Sequence, residues 1–331
     1  MALTSLYLLS SVRGLLFATG TCWWDNCSAD TSVVTAHRRS AISETIELNN
    51  KPVNIQNDFV LTDAELQKIS TLIYQRAGIV LSKQKHDMVY NRLTRRLRQL
   101  NIKTFTAYLN LLESDPGSNE WQQFINALTT NLTSFFREAY HFPVLAEHAR
   151  SRQNNYNVWC TAAATGEEPC SIAMTLHEAL GQNLSGPRVW ATDIDTEVLA
   201  KATRGIYRHA DIQNLTPEQK RTWFLRGTGA QREQVKVKPT LLAAIQYQQL
   251  NLLSPEWRVP APFTSSFDAI FCRNVMIYFD KPTQHRILLR FANMLKPGGL
   301  LFVGHSENFS NMNGPFRLRG QSVYCLTQER A

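Results

Sequence analysis

The chain has no run of 18 or more apolar residues, so no segment of it reads as a membrane-spanning helix. It also lacks a G-x-G-x-x-G fingerprint and a G-K-S/T phosphate loop, which sets aside two common nucleotide sites. Cysteine is sparse: Cys22, Cys27, Cys160, Cys170, Cys272 and Cys325 lie mostly inside strand-like or helix-like segments, the pattern of reduced small hydrophobes and not of a disulfide framework. A reducing cytoplasm is therefore the expected setting. No Ser/His/Asp arrangement and no metal-ligand spacing is present, and His209, His285 and His305 are scattered and read as structural. There is no internal repeat and no low-complexity tract. The apolar first 21 residues lack a basic n-region and are interrupted by Arg13, so a cleaved secretory signal is not expected. The N-x-S/T triplets beginning at Asn26, Asn131 and Asn183 carry no weight without secretion.

What is present is an ordinary globular composition, 44% hydrophobic and 19% charged over 331 residues, long enough for two domains. The formal charge of +8 points to an acidic partner: nucleic acid, a membrane surface or an acidic protein. Residues 1–55 show no sustained period and read as an extension, either disordered or a start-site artefact, with Cys22-Trp23-Trp24 unplaced. Residues 56–150 are expected to form a small helical domain. Thr62 and Glu65 have capping-box spacing, Leu66, Ile69 and Ile73 and then Val89, Leu93, Leu97 and Leu100 recur at helical spacing, and Asp115-Pro116-Gly117 breaks the run. From 151 to 331 strands and helices alternate, which predicts an α/β domain with a doubly wound, mainly parallel sheet covered on both faces. An antiparallel β subdomain, about 205–250, interrupts it, with strands at Thr222–Leu225 and Val235–Lys238 around Gly227-Thr228-Gly229.

The candidate site lies at the strand ends. Phe267–Cys272 is a short, apolar, aromatic-rich strand that runs into Arg273 and Asn274, and Val189–Asp195 is a second strand with a polar tip. After the strand near Val158 come small residues and Gly166, with Pro169 at a helix start; the turn suits either close approach of a ligand or simple close packing. Asp193 suits a ribose diol, or alternatively the N-cap of the helix Thr196–Thr203. The helix Lys85–Leu100 gathers Lys85, Arg92, Arg95 and Arg96 on one side, flanked by Arg98, as a solvated face or a docking surface.

TTNLTSFFRE (Thr129–Glu138), TGEEP (Thr165–Pro169), ATDIDTEVL (Ala191–Leu199), FDAIFCRNVMIYF (Phe267–Phe279) and LKPGGLLFVGHSEN (Leu295–Asn308), in this order, resemble the CheR family of chemotaxis receptor glutamate O-methyltransferases. The similarity runs from about Phe59 to Leu326. It implies a Rossmann-like methyltransferase domain, S-adenosylmethionine as methyl donor, S-adenosylhomocysteine as product, no metal, and a receptor glutamate as acceptor. It assigns Asn131, Thr133, Arg137, Glu168, Asp193, Asn251, Leu252, Arg273 and Asn274 to the cofactor pocket, and Arg137 with Tyr278 to the chemistry. For substrate it implies the cytoplasmic helical bundle of a chemoreceptor on Arg92, Arg95, Arg96 and Arg98. It also implies a C-terminal receptor tether peptide at Gly227, Gly229 and Arg232. A monomer without nucleic acid or membrane insertion is expected. The first turn departs from the family's WSAAASTGEEPYS: Cys160 and Ala164 replace serines, Thr161 replaces an alanine and Cys170 a tyrosine. That departure motivates one competing function, a non-catalytic cofactor-sensing module. Nucleic-acid and small-molecule methyltransferases are two others, although no aromatic residues interleave with the arginines and no Asn/Asp-Pro-Pro-aromatic motif follows Cys272.

Overall fold

The computed structural model describes residues 24–25, 59–152, 155–181, 186–263, 266–310 and 314–327. The expectations for Cys22, Cys27, Asn26 and most of residues 1–55 fall outside these.

Four helices form the first unit: α1 Asp63–Ala77, α2 His86–Gln99, α3 Phe105–Ser114 and α4 Glu120–Leu128. The capping box predicted at the start of α1 is present, with the Thr62 hydroxyl accepting from Glu65 N–H and the Glu65 carboxylate accepting from Thr62 N–H at 2.9 Å. Gly78, at φ +70, ends α1 in the left-handed conformation that glycine adopts without strain. The apolar stripes then meet: Ile69 and Ile73 of α1, Val89, Leu93 and Leu97 of α2, and Phe105, Tyr108 and Phe124 share one buried core.

The second unit is built on strands β2 Val158–Cys160, β3 Val189–Asp193, β7 Ile245–Gln249, β8 Phe267–Cys272 and β9 Leu295–Val303. These lie side by side and parallel in the order β9-β8-β2-β3-β7, and β11 Val323–Leu326 and β10 Phe316–Gly320 extend the β9 edge antiparallel. Period two decides which side chain goes to which face. Cys160, Ala191, Ala269, Phe271 and Phe302 join one core, with helix α6 Glu167–Leu180. Trp159, Trp190, Ile270 and Leu301 join the other, with helix α10 Lys281–Met294. Trp159 stacks on Trp190 with ring centroids 4.7 Å apart. Helix α5, His141–Arg152, begins ten residues before residue 151, yet its Phe142, Leu145 and Ala149 belong to the core of the sheet.

Three sequence expectations are refined. The antiparallel subdomain comprises β4 Ile206–Arg208, β5 Phe224–Gly227 and β6 Gln234–Val237, whereas β7, expected within the insert, pairs in parallel with β3 and closes the main sheet. Ile245 is apolar and buried, and the run Ile245–Gln249 has a strand partner that an inserted hairpin would deny it. Pro297-Gly298-Gly299, which by its composition reads as a turn, is instead absorbed into β9 as an irregularity between its pairings at Phe267 and Ala269, with Gly298 at φ +67. In the extension, Trp24–Asp25 forms a short strand, β1, paired antiparallel with Arg226–Gly227 on the outer edge of β5.

Candidate active site

The C-terminal ends of β2, β3, β7 and β8 open into one cleft enclosing about 910 Å³, including its solvent-open part. This is where an open parallel sheet places a ligand, because the strand connections part there. The helical unit supplies the facing wall through Ala77, Ile79 and Leu128–Leu132. Tyr74 donates to Asp280 at 2.6 Å, Val80 N–H to the Tyr278 carbonyl at 2.8 Å and Asn251 to the Arg76 carbonyl at 2.8 Å, so the wall is fastened at three points.

All ten residues assigned by resemblance to the cofactor or the chemistry line this cleft: Asn131, Thr133, Arg137, Glu168, Asp193, Asn251, Leu252, Arg273, Asn274 and Tyr278. Their local roles differ. Asp193, at the tip of β3, is buried and accepts from Ala164 N–H at 2.8 Å and Asp195 N–H at 2.9 Å. The alternative duty of capping the next helix, α7 Thr196–Arg204, is done by Asp195, whose carboxylate accepts from Glu197 and Val198 N–H groups. Asp195 also accepts from Asn131 at 2.8 Å and from Thr129 at 2.7 Å, so it orients the segment that leads to Arg137. Burial pushes the Asp193 carboxyl up to about 6, against those backbone donors.

Arg273 is buried at the tip of β8 and holds Glu168 at 2.7 Å, Glu138 at 3.4 Å and the carbonyl of Arg137. Burial alone would raise the Glu138 carboxyl. Its hydrogen bond with His305, at 2.9 Å, and the Arg273 charge outweigh that and hold it down at about 2. His305 does not line the cleft and is linked to it only through Glu138 and Arg273. Arg137 is fixed by donation to the Leu132 carbonyl at 2.8 Å.

The altered first turn is accommodated. The Cys160 thiol takes the serine position and donates to Glu168 at 3.3 Å, while burial drives its own ionisation far upward. Cys170 is enclosed and its thiol is pushed up to about 12 by burial, which removes any reactive role. Thr161, Ala162 and Ala164 line the cleft, but Gly166 does not: a Cβ there would meet the Tyr207 hydroxyl at 2.7 Å and Ala202 at 2.9 Å. The small side chains of Ala162 and Ala164 leave room in the cleft, whereas close packing explains the glycine.

Two of the predicted substrate arginines are engaged inside the protein. Arg96 pairs with the buried Glu120 at 2.5 Å, and Arg92 donates to the carbonyls of Ala127 and Thr129 and to Thr130. Both guanidinium groups hold α2 to its neighbours. Arg95, Arg98 and Arg232 are exposed, with the Arg98 guanidinium 5.6 Å from the Phe59 ring centroid. Gly227 is required locally, since a Cβ would fall 2.0 Å from the Gln231 carbonyl oxygen.

The cleft fits S-adenosylmethionine. Asp193 would offer a carboxylate to ribose hydroxyls, Leu128, Ile194, Leu250 and Leu252 apolar surface to a base, and Glu168 and Arg137 charge to an amino-acid end. The buried Nε of Arg273 has no hydrogen-bond partner among the described residues. Among those residues no group of three or more His, Cys, Asp or Glu side chains could hold a metal, and no helix is long and apolar enough to cross a membrane.

Sequence comparison agrees with the geometry. A family model described as the CheR methyltransferase SAM-binding domain matches residues 131–325, and one described as the CheR methyltransferase all-alpha domain matches residues 64–129. The chain is 65% identical over 270 residues to a chemotaxis protein methyltransferase of Klebsiella aerogenes, covering 82% of this chain and 92% of that protein. It is 59% identical over 269 residues to the chemotaxis protein methyltransferase of Escherichia coli K12, covering 81% and 93%. Identity to chemotaxis protein methyltransferase 2 of Pseudomonas aeruginosa is 45% over 276 residues, covering 82% and 96%.

Proposed function

Because this chain belongs to the CheR methyltransferase family, we propose that it methylates glutamate side chains of membrane chemoreceptors from the cytoplasm. S-adenosylmethionine supplies a sulfonium-bound methyl group, and the products are a glutamyl methyl ester and S-adenosylhomocysteine. The observation that carries the reading is the convergence of Asn131, Arg137, Glu168, Asp193, Arg273 and Tyr278 on one cleft.

A glutamate, with a reference pKa of about 4.3, is already an anionic nucleophile at neutral pH, so no residue has to take a proton from it. The chain's task is to orient and to exclude water. Asp193, Glu168, Asn251 and Leu252 would hold the cofactor, Tyr278 would place the acceptor carboxylate, and Arg137 would orient it. Arg137 is itself anchored on the Leu132 carbonyl, which limits how tightly it grips the acceptor. Too tight a grip in the ground state would weaken the nucleophile. The exposed Arg95, with Arg98, would steer an acidic helical bundle, and the edge of β5 would take a receptor's C-terminal peptide by strand addition. In this structure that edge carries Trp24–Asp25, so a tether peptide has to displace them.

Arg137→Ala tests the chemistry. It is expected to lower kcat for receptor methylation by at least about 100-fold, a loss typical of removing one positioned polar group from an active site, with unchanged thermal unfolding. Wild-type turnover by that variant would remove Arg137 from the mechanism.

A further inference from the structure

Glu307, four residues past the end of β9, is 5% exposed and does not line the cleft. Its two carboxylate oxygens nevertheless gather four backbone N–H groups. One accepts from Gly304 at 2.6 Å and Asn274 at 3.0 Å, and the other from Met276 at 2.8 Å and Ile277 at 3.3 Å. Three of these donors belong to the segment that leaves β8 and makes the single turn Met276–Tyr278, where no strand or helix partner exists for them. Asn274 is held at φ +58, a left-handed conformation that a non-glycine residue keeps only when its surroundings impose it. Gly304 completes the fit, since a Cβ there would lie 2.4 Å from the Asn274 side-chain amide.

A buried carboxylate accepting four N–H groups fixes backbone, and the backbone it fixes carries Arg273, Asn274 and Tyr278 into the cleft. We infer that Glu307 is a positioning residue for methyl transfer, acting through the turn that presents Tyr278. This rests on the role proposed above for Tyr278. The opposite side of the turn is held by Val80 N–H on the Tyr278 carbonyl and by the Gln284 amide on the carbonyls of Met276 and Phe279. Only the side held by Glu307 depends on charge. On the cofactor side, Asp193 lies on β3 outside this turn, and Arg273, although it adjoins the held segment, has its guanidinium fixed independently by Glu168, Glu138 and the Arg137 carbonyl.

The test is a double-mutant cycle in the full-length chain with Glu307→Gln and Tyr278→Phe, reading kcat on receptor-containing membranes, S-adenosylhomocysteine affinity by calorimetry, and the melting temperature. Glu307→Gln keeps the size of the side chain but presents one oxygen where two are needed. It is expected to lower kcat at least tenfold while the affinity changes less than threefold, and Tyr278→Phe is expected to cost less in that background than in the wild type. If Glu307→Gln does not fold, Glu307→Asp, which keeps the charge and shortens the reach, enters the same cycle. A lowered melting temperature with kcat within twofold of wild type, or losses that simply multiply, would overturn the positioning role. A fully active Tyr278→Phe would instead remove the role of Tyr278, and the inferred route with it.

Discussion

Asp193 shows how one buried carboxyl sets a measurable property of the site. Its carboxyl is pushed up to about 6 by burial, and a ribose diol needs it as an acceptor. Cofactor affinity should therefore be flat above about pH 6 and weaken up to tenfold per unit below it. Asp193→Asn should bind at least tenfold more weakly and lose that pH dependence. Calorimetry between pH 5 and 7.5 checks both, and a pH-independent wild-type affinity would refute the assignment. Asp193 was legible because it ends a recognisable strand and is followed by a helix. What the sequence left open was whether Asp193 itself caps that helix, and only the fold shows the N–H groups of Glu197 and Val198 going to Asp195 instead. Glu138 and Glu307 were missed for a different reason. Their partners, Arg273 and Met276, are remote in sequence, and no spacing rule connects them.

Helix α2 shows the same limit at the scale of an element. Its amphipathic period was readable, but a basic face does not say which cations are engaged inward. Arg96→Ala would leave Glu120 as a buried, unpaired carboxylate and should destabilise the fold by about 3 kcal/mol in denaturant titration. Arg95→Ala should change stability by less than about 0.5 kcal/mol yet slow receptor methylation at low salt, with the difference closing as salt rises. Equal stability losses in the two variants would show that the faces are wrongly divided. The β5 edge yields a parallel expectation. Replacing Trp24 and Asp25 together by proline removes both N–H groups of the strand paired there, so a fluorescent receptor C-terminal peptide should bind the variant more tightly than the wild type. Unchanged binding would mean that the peptide uses another surface. The glycine turn beside this edge was visible in the sequence; its covering by the chain's own extension was not, because two residues carry no period.

Across the whole molecule, two buried histidines set the response to acid. Burial, reinforced by Arg273, lowers His141 to about 4; burial, reinforced by Arg152, lowers His148 to about 4. His141 bonds the Gln321 carbonyl at 2.9 Å through Nε2, and His148 bonds the Tyr156 hydroxyl at 2.6 Å through Nδ1. Both are neutral in the fold and protonate near pH 6.5 when unfolded, so the unfolded chain binds more protons between about 6.5 and 4 and stability falls across that window. Asp193 acts in the opposite direction, because its raised carboxyl takes up a proton in the fold first. Between pH 7.5 and 5 the histidines would cost roughly 2 kcal/mol each, and Asp193, with Glu167, Glu168 and Glu307, whose carboxyls burial also raises, would return part of that. Glu138, held near 2, gives up its own contribution only below about pH 4.5. Denaturant midpoints of the wild type, His141→Gln and His148→Gln at the two pH values test the histidine contribution: each variant should lose less stability toward pH 5 than the wild type, and equal losses would contradict it. The two-unit architecture and the polar-tipped strands were legible because period and strand-end chemistry are local. The fastening of the helical wall through Tyr74, Val80 and Asn251, which makes the two units one site, depends on contacts that only the folded chain brings together.

The central claim is tested most directly by incubating the full-length protein with methyl-labelled S-adenosylmethionine and receptor-containing membranes, then mapping the label before and after mild alkali. The expected result is label on receptor glutamates that alkali releases, reduced at least about 100-fold with Arg137→Ala. Alkali-stable label, or cofactor binding with no label on any receptor glutamate, would contradict it.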